Sequence, residues 1–187
     1  DGILATIATY SLYTGTLSTT THAHNGTQLT IVGYGGSGYG DIRYSASYPL
    51  GTTVRRVGGN VVDVMTSLNG VTDCLFYQMD FDDNSAVGTV GGSLGNDIET
   101  TLCTGDSGGP ALVNVGDEYF VAGVNTLVSL EDLEMGEYGT FAFGIAIPGV
   151  SDWIAYTMAS VPEPSGVALA LGLAVLPPLL VRRRRRR

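Results

Sequence analysis

Seven short runs rich in Val, Ile, Thr, Tyr and Phe, at residues 3–13, 28–34, 53–65, 74–80, 111–115, 119–128 and 140–147, are separated by clusters of Gly, Asn, Asp and Ser. β-branched and aromatic side chains suit a pleated surface, whereas the separators are turn formers. Gly supplies 27 of the 187 residues, about twice the usual ~7%. One helix is expected near 150–158, where Ser151 can cap it and Val150, Trp153, Ile154 and Met158 fall at helical spacing. The pattern predicts an all-β body, a barrel or a sandwich, closed by a single helix.

Charge is distributed unevenly along the chain. All nine basic residues are arginines, and six of them form the run Arg182 to Arg187. Residues 1–181 hold Arg43, Arg55 and Arg56 against 18 acidic residues, a balance of −15. A body this acidic lacks the clustered cations that neutralise phosphates, so nucleic acid is not an expected partner. The segment from Gly2 reads as a strand almost from the first residue, so the chain is expected to be a fragment. At the other end, Val161 to Ser165 form a short linker, and 166–181 is a 16-residue run without charge before the arginines. As a helix it would reach about 24 Å, short of the ~30 Å hydrocarbon core, and Pro177-Pro178 weakens it further. The arginines are expected to stay cytoplasmic, with the acidic body across the membrane.

Three motifs fail on their context. Gly33 to Gly38 match G-x-G-x-x-G after the apolar run Leu29 to Val32, but no helical period follows to hold a pyrophosphate. That stretch is read as a glycine turn. Asp80-Phe81-Asp82-Asp83-Asn84 starts like a calcium loop, yet Ser85 and Gly91 stand where an EF-hand needs Gly and Glu. It is read as a solvated acidic turn at a strand end, and no metal ligand or cofactor is assigned. Cys74 and Cys103 suit either a bridge or two free thiols, and no metal-ligand spacing accompanies them.

The informative segment is Thr104-Gly105-Asp106-Ser107-Gly108-Gly109-Pro110. It satisfies the G-x-S-x-G elbow of α/β-hydrolases, but Pro110 opposes the required helix and no His follows Ser107. The residues Gly105 to Pro110 resemble the nucleophile loop of chymotrypsin/trypsin-like serine proteases. That resemblance implies Ser107 as nucleophile and the N–H groups of Gly105 and Ser107 as the oxyanion hole. It implies that Asp106 pairs with an amino terminus freed on activation. It also implies a protein or peptide substrate and a pocket that includes Thr101 and Thr126. Thr101, uncharged, stands where an acid would select Lys or Arg, so neutral side chains are expected unless Glu99 reaches the pocket.

Other stretches carry the same likeness. Leu29 to Gly35 resemble the strand that opens the second barrel, Val121 to Thr126 the substrate-binding strand, and Ser151 to Ile154 the closing helix. Gly58 to Asp63 and Asp80 to Asp83 resemble a bacterial branch of the family. The fold implied for residues 1–160 is therefore a chymotrypsin-like second barrel, with the first barrel largely missing. No triad His or Asp matches. His22 and His24 lie in a polar turn close before Ser107, and Asp1 is offset from the family pattern. The His–Asp pair is expected upstream of Asp1. The alternative is a catalytically inactive homologue acting as an exported surface or adhesion protein.

Pro162-Glu163-Pro164, the short apolar span and the terminal arginines resemble the PEP-CTERM sorting signal of Gram-negative bacteria. The resemblance covers 161–187 and implies an exosortase-like partner, a transient membrane hold through 166–181, and release to the cell surface or medium. Intact-mass measurement on exported protein is expected to show loss of the arginine cluster. Full-length chain recovered from the cytoplasm of the native host would contradict this.

Overall fold

The computed structural model of the chain describes residues 9–19, 26–40, 42–45, 53–68, 71–82, 94–95, 98–130 and 135–161. Asp1, His22, His24 and the tail after Val161 lie outside the described residues. Contacts divide the chain into two units, Asp1–Ser151 and Asp152–Arg187.

The first unit is built on antiparallel strands. They are β1 (Gln28–Gly33), β2 (Ser37–Tyr39), β3 (Ile42–Ser45), β4 (Arg56–Val61), β5 (Val64–Leu68), β6 (Val71–Phe81), β7 (Pro110–Val115), β8 (Glu118–Ser129) and β9 (Thr140–Ala146). Seven form one sheet in the order β4-β1-β7-β8-β9-β6-β5, and β2 pairs with β3 separately. The strands expected at 28–34, 74–80, 111–115, 119–128 and 140–147 recur with small shifts in their ends, whereas of the strand expected at 3–13, residues 9–13 form only an isolated parallel bridge from Leu12 to Val121 and residues 3–8 lie outside the described residues. The run at 53–65 is divided instead into β4 and β5 by Val62 and Asp63. Their amides leave the ladder, donating to Thr27 O at 3.0 Å and Gln78 O at 2.9 Å respectively. The β2–β3 hairpin was not legible, because its strands are short and glycine-rich.

The two outer strands of the sheet, β4 and β5, are thus joined by two residues. The sheet must curl to let its ends meet. Asn60 Nδ2 spans the gap, donating to Asp80 O on β6 at 2.7 Å and to Thr100 O at 2.8 Å. The β4 and β6 backbones do not form a continuous ladder, so the sheet is not closed by strand pairing.

The inner face of the sheet is filled unevenly. Tyr77 is fully buried, and Leu29, Ile31, Val62, Met79, Leu102 and Val113 join it. Four buried alanines, Ala111, Ala122, Ala142 and Ala146, occupy facing strands. β9 alternates buried and part-buried positions along its whole length, as a strand with one core face does. Small residues on β7, β8 and β9 leave room for one large ring. The Tyr77 hydroxyl donates to Asn125 Oδ1 at 3.0 Å, which satisfies it away from water. Burial also raises the energy of the phenolate and pushes its pKa far up.

The second unit holds α1 (Ser151–Ser160), close to the helix expected at 150–158. None of its residues is buried, and Trp153 is 67% exposed, so its apolar spacing does not mark a core face. The Ser151 hydroxyl donates back to Pro148 O at 3.3 Å and does not cap the helix as expected. Among the described residues, no helix is long and apolar enough to cross a membrane.

A Cβ at Gly144 would collide with the ring and hydroxyl of Tyr77. Gly144→Ala is therefore expected to cost about 1–3 kcal/mol, the usual range for overpacking. Urea unfolding followed by circular dichroism measures it, and an unchanged midpoint would refute the packing described.

Candidate functional site

The loop from Cys103 to Gly109 is two consecutive tight turns that share Asp106. Asp106 N donates to Cys103 O at 3.0 Å, and Gly109 N donates to Asp106 O at 3.0 Å. The third residue of each turn is a glycine with positive φ, Gly105 at 99° and Gly108 at 84°. That is the type II pattern, in which a side chain at the third position is strained. The sequence Gly-Asp-Ser-Gly-Gly is thus the local instruction for this loop shape.

Three further bonds fix the loop in the fold. Gly108 N donates to Asn125 O at 2.8 Å, and Asn125 N donates to Gly109 O at 2.9 Å, which ties the loop to β8. Gly36 N donates to Thr104 O at 3.1 Å, which ties it to the segment after β1. The Asp106 carboxylate spans both sides. Its Oδ1 accepts from Gly35 N at 2.7 Å and its Oδ2 from Cys103 N at 2.9 Å. A Cβ at Gly35 would lie 2.5 Å from Asp106 Cγ, so the carboxylate needs bare backbone there. The G-x-G-x-x-G match is accounted for by this close approach, and β2 follows it rather than a helix.

Ser107 is exposed at the tip of the second turn, and its Oγ donates to Thr126 O at 3.0 Å. Thr126 is the extra residue of a β-bulge. Asn125 faces Gly144 and Leu127 faces Phe143, which leaves Thr126 unopposed. The bulge turns the Thr126 carbonyl toward Ser107, and the Thr126 hydroxyl donates to Phe143 O at 3.0 Å. Neither Gly105 N nor Ser107 N donates to an acceptor among the described residues. An exposed hydroxyl therefore sits beside two unused amide donors.

Behind the loop lies a cavity of about 300 Å³. Asp106, Cys103, Thr101, Glu99, Arg56 and Tyr138 border it. Thr101 and Glu99 thus share one cavity, whereas Ser107 and Thr126 do not line it. Cys103 is a free thiol. Burial, with Asp106 adding to it against an opposing Arg56, raises its pKa to about 11, so it stays protonated and unreactive at neutral pH. The Cys74 side chain lies outside the described residues.

One feature overturns an expectation. Asp80 and Asp82 are 1% and 0% exposed, not part of a solvated turn. The reason is Glu99, also buried, whose Oε1 accepts from Asp82 N at 3.1 Å and whose Oε2 accepts from Leu94 N at 2.6 Å. These bonds hold Leu94 and Glu99 at the end of β6. The alternation along β6 puts positions 80 and 82 on one face, which the sequence pattern contains. That Glu99 covers them is a long-range pairing, with no local signal.

Comparison with models of protein families gives no match for this chain, and comparison with curated proteins finds no similar one.

Burial, outweighing two amide bonds and reinforced by Asp82 and Asp80, raises the Glu99 pKa from 4.5 to about 7. The folded state then holds a proton that the unfolded state has released between those values. Stability from this group is full below about pH 4.5 and is lost as pH rises through about 7, by up to about 3 kcal/mol. Urea unfolding in chelator at pH 5.5 and 8.5 is expected to show lower stability at the higher pH. Glu99→Gln is expected to flatten that difference, and an equal slope in the variant would refute the assignment.

Proposed function

We propose that this chain carries the nucleophile-bearing barrel of a trypsin-like serine endopeptidase, exported under a C-terminal sorting signal. One observation carries the reading: two type II turns sharing Asp106 present an exposed Ser107 beside the unused N–H groups of Gly105 and Ser107. The curled antiparallel sheet, whose outer strands are two residues apart in sequence, supports a chymotrypsin-like barrel. The tail reading rests on Pro162-Glu163-Pro164 and the terminal arginines alone.

In this reading Ser107 Oγ attacks the carbonyl carbon of a peptide bond as its proton passes to a general base. The two amides then hold the oxyanion. The base returns the proton to the leaving amine, and water hydrolyses the acyl-enzyme. The resemblance has Asp106 shape the hole by pairing with a freed amino terminus. Here its two oxygens take the Gly35 and Cys103 amides, which supports a hole already held in shape by the loop itself.

The base is the part to be supplied. No His is among the described residues, and Ser107 Oγ donates to a carbonyl, so among those residues it meets no base that would activate it. The triad His and Asp are assigned to sequence upstream of Asp1. The same hydrogen bond favours the second reading, an inactive homologue at the cell surface.

Fluorophosphonate labelling separates the two. The longer gene product is expected to label at Ser107 and to lose the label in Ser107→Ala. The 187-residue chain is expected to label slower by several powers of ten. Absence of labelling in the longer product would leave the surface-protein reading standing.

A further inference from the structure

We propose that Asp80, Asp82 and Glu99 form a binding site for a hard divalent cation, calcium. One ligand oxygen from each can be chosen so that all three lie within 4.8 Å of one another. Ca²⁺ takes oxygen ligands at about 2.3–2.6 Å, so oxygens on one ion stand at most about 5 Å apart. The spacing fits a single shared ion.

Asp82 supplies the independent observation. It is 0% exposed, and neither of its carboxylate oxygens has a hydrogen-bond partner among the described residues. A buried carboxylate without a donor is among the costliest groups a fold can hold, and native structures pair it with a cation or a proton. Its ligand atom faces two further carboxylates, so repulsion adds to the cost.

The surroundings hold the three groups in place. Asn60 bridges Asp80 O and Thr100 O, which clamps the end of β6 to the strand of chain after Glu99. Gly59 and Glu99 form a parallel bridge. Glu99 N donates to Gly95 O at 2.9 Å, and Asp80 N donates to Asp63 Oδ2 at 2.9 Å. The oxygens of Glu99 take one amide each, and a carboxylate oxygen has a second lone pair free for a metal. Glu99 also borders the cavity behind the nucleophile loop, which gives an ion a way in. An all-oxygen, buried and irregular set favours calcium over magnesium, which demands a near-ideal octahedron and keeps its waters.

The test uses the 187-residue chain after chelation, with calcium, magnesium and Tb³⁺ as probes. Calcium at a hundredfold over its dissociation constant is expected to raise the melting temperature by about 5–10 °C. Magnesium at the same concentration is expected to do less. Tb³⁺ luminescence excited through tyrosine is expected to appear, since Tyr138 stacks on Phe81 at 4.8 Å between ring centres, and to fall on adding calcium. Asp82→Asn removes one charge and is expected to abolish both responses while leaving the chelated protein as stable or more so. Wild-type protein with neither response overturns the site, as does a full response in Asp82→Asn. A magnesium response equal to that of calcium overturns the choice of ion. If Asp82→Asn fails to fold, Glu99→Gln is read in its place by the same criteria. None of these readouts depends on peptidase activity.

Discussion

The Asp106 carboxylate is the clasp on which the site depends. It accepts one amide from its own loop, Cys103, and one from the segment after the neighbouring strand β1, Gly35. Two charge-assisted bonds of this kind are each worth more than a neutral one. They hold the first turn closed and press the loop onto the end of β1. Without them, Gly105 and Gly108 would still permit the two turns, but only the backbone bonds to Asn125 and Gly36 and the Ser107 hydroxyl bond to Thr126 would hold the loop in place. The glycines allow the shape, and the carboxylate selects it.

The second constraint is the crowding around Tyr77. One fully buried ring fills the middle of the unit, and Gly144 and the alanines of three strands are its counterpart. Its hydroxyl ends on Asn125, whose backbone also exchanges bonds with the Cys103–Gly109 loop. The core and the loop thus meet in one residue. A change in packing under Asn125 reaches the Ser107 turn through the N–H and C=O of that one residue.

Much of this was legible from the chain. The strand runs at 28–34, 111–115, 119–128 and 140–147 announce themselves by β-branched and aromatic content, and Gly105 to Pro110 announce the loop by composition. What could not be read is what distant segments do to one another. Nothing local says that Gly33 and Gly35 are bare because Asp106 arrives there. Nothing in Asp80-Phe81-Asp82 says that Glu99 will cover it, so an acidic turn looked solvated. The break at Val62-Asp63 was hidden because Asp63 stands singly between Val62 and Val64 within a β-branched run, and only the hydrogen bonds show that the strand divides there. The expected pairing of Thr101 with Thr126 came from resemblance, and the cavity takes only the first of them.

The strand order has a consequence for how the chain is made. β1 and β4 pair with each other early in the sequence, as do β5 and β6, yet these two pairs do not neighbour one another in the ladder. β7, β8 and β9 must arrive to join them, with β7 taking the free edge of β1 and β9 that of β6. Until residue 146 has left the ribosome, two strand edges remain open to any partner. Such non-local closure is slow and exposes the chain to aggregation. The Cys103–Gly109 loop immediately precedes the three strands that complete the sheet, so Ser107 gains its setting only once those strands are in place.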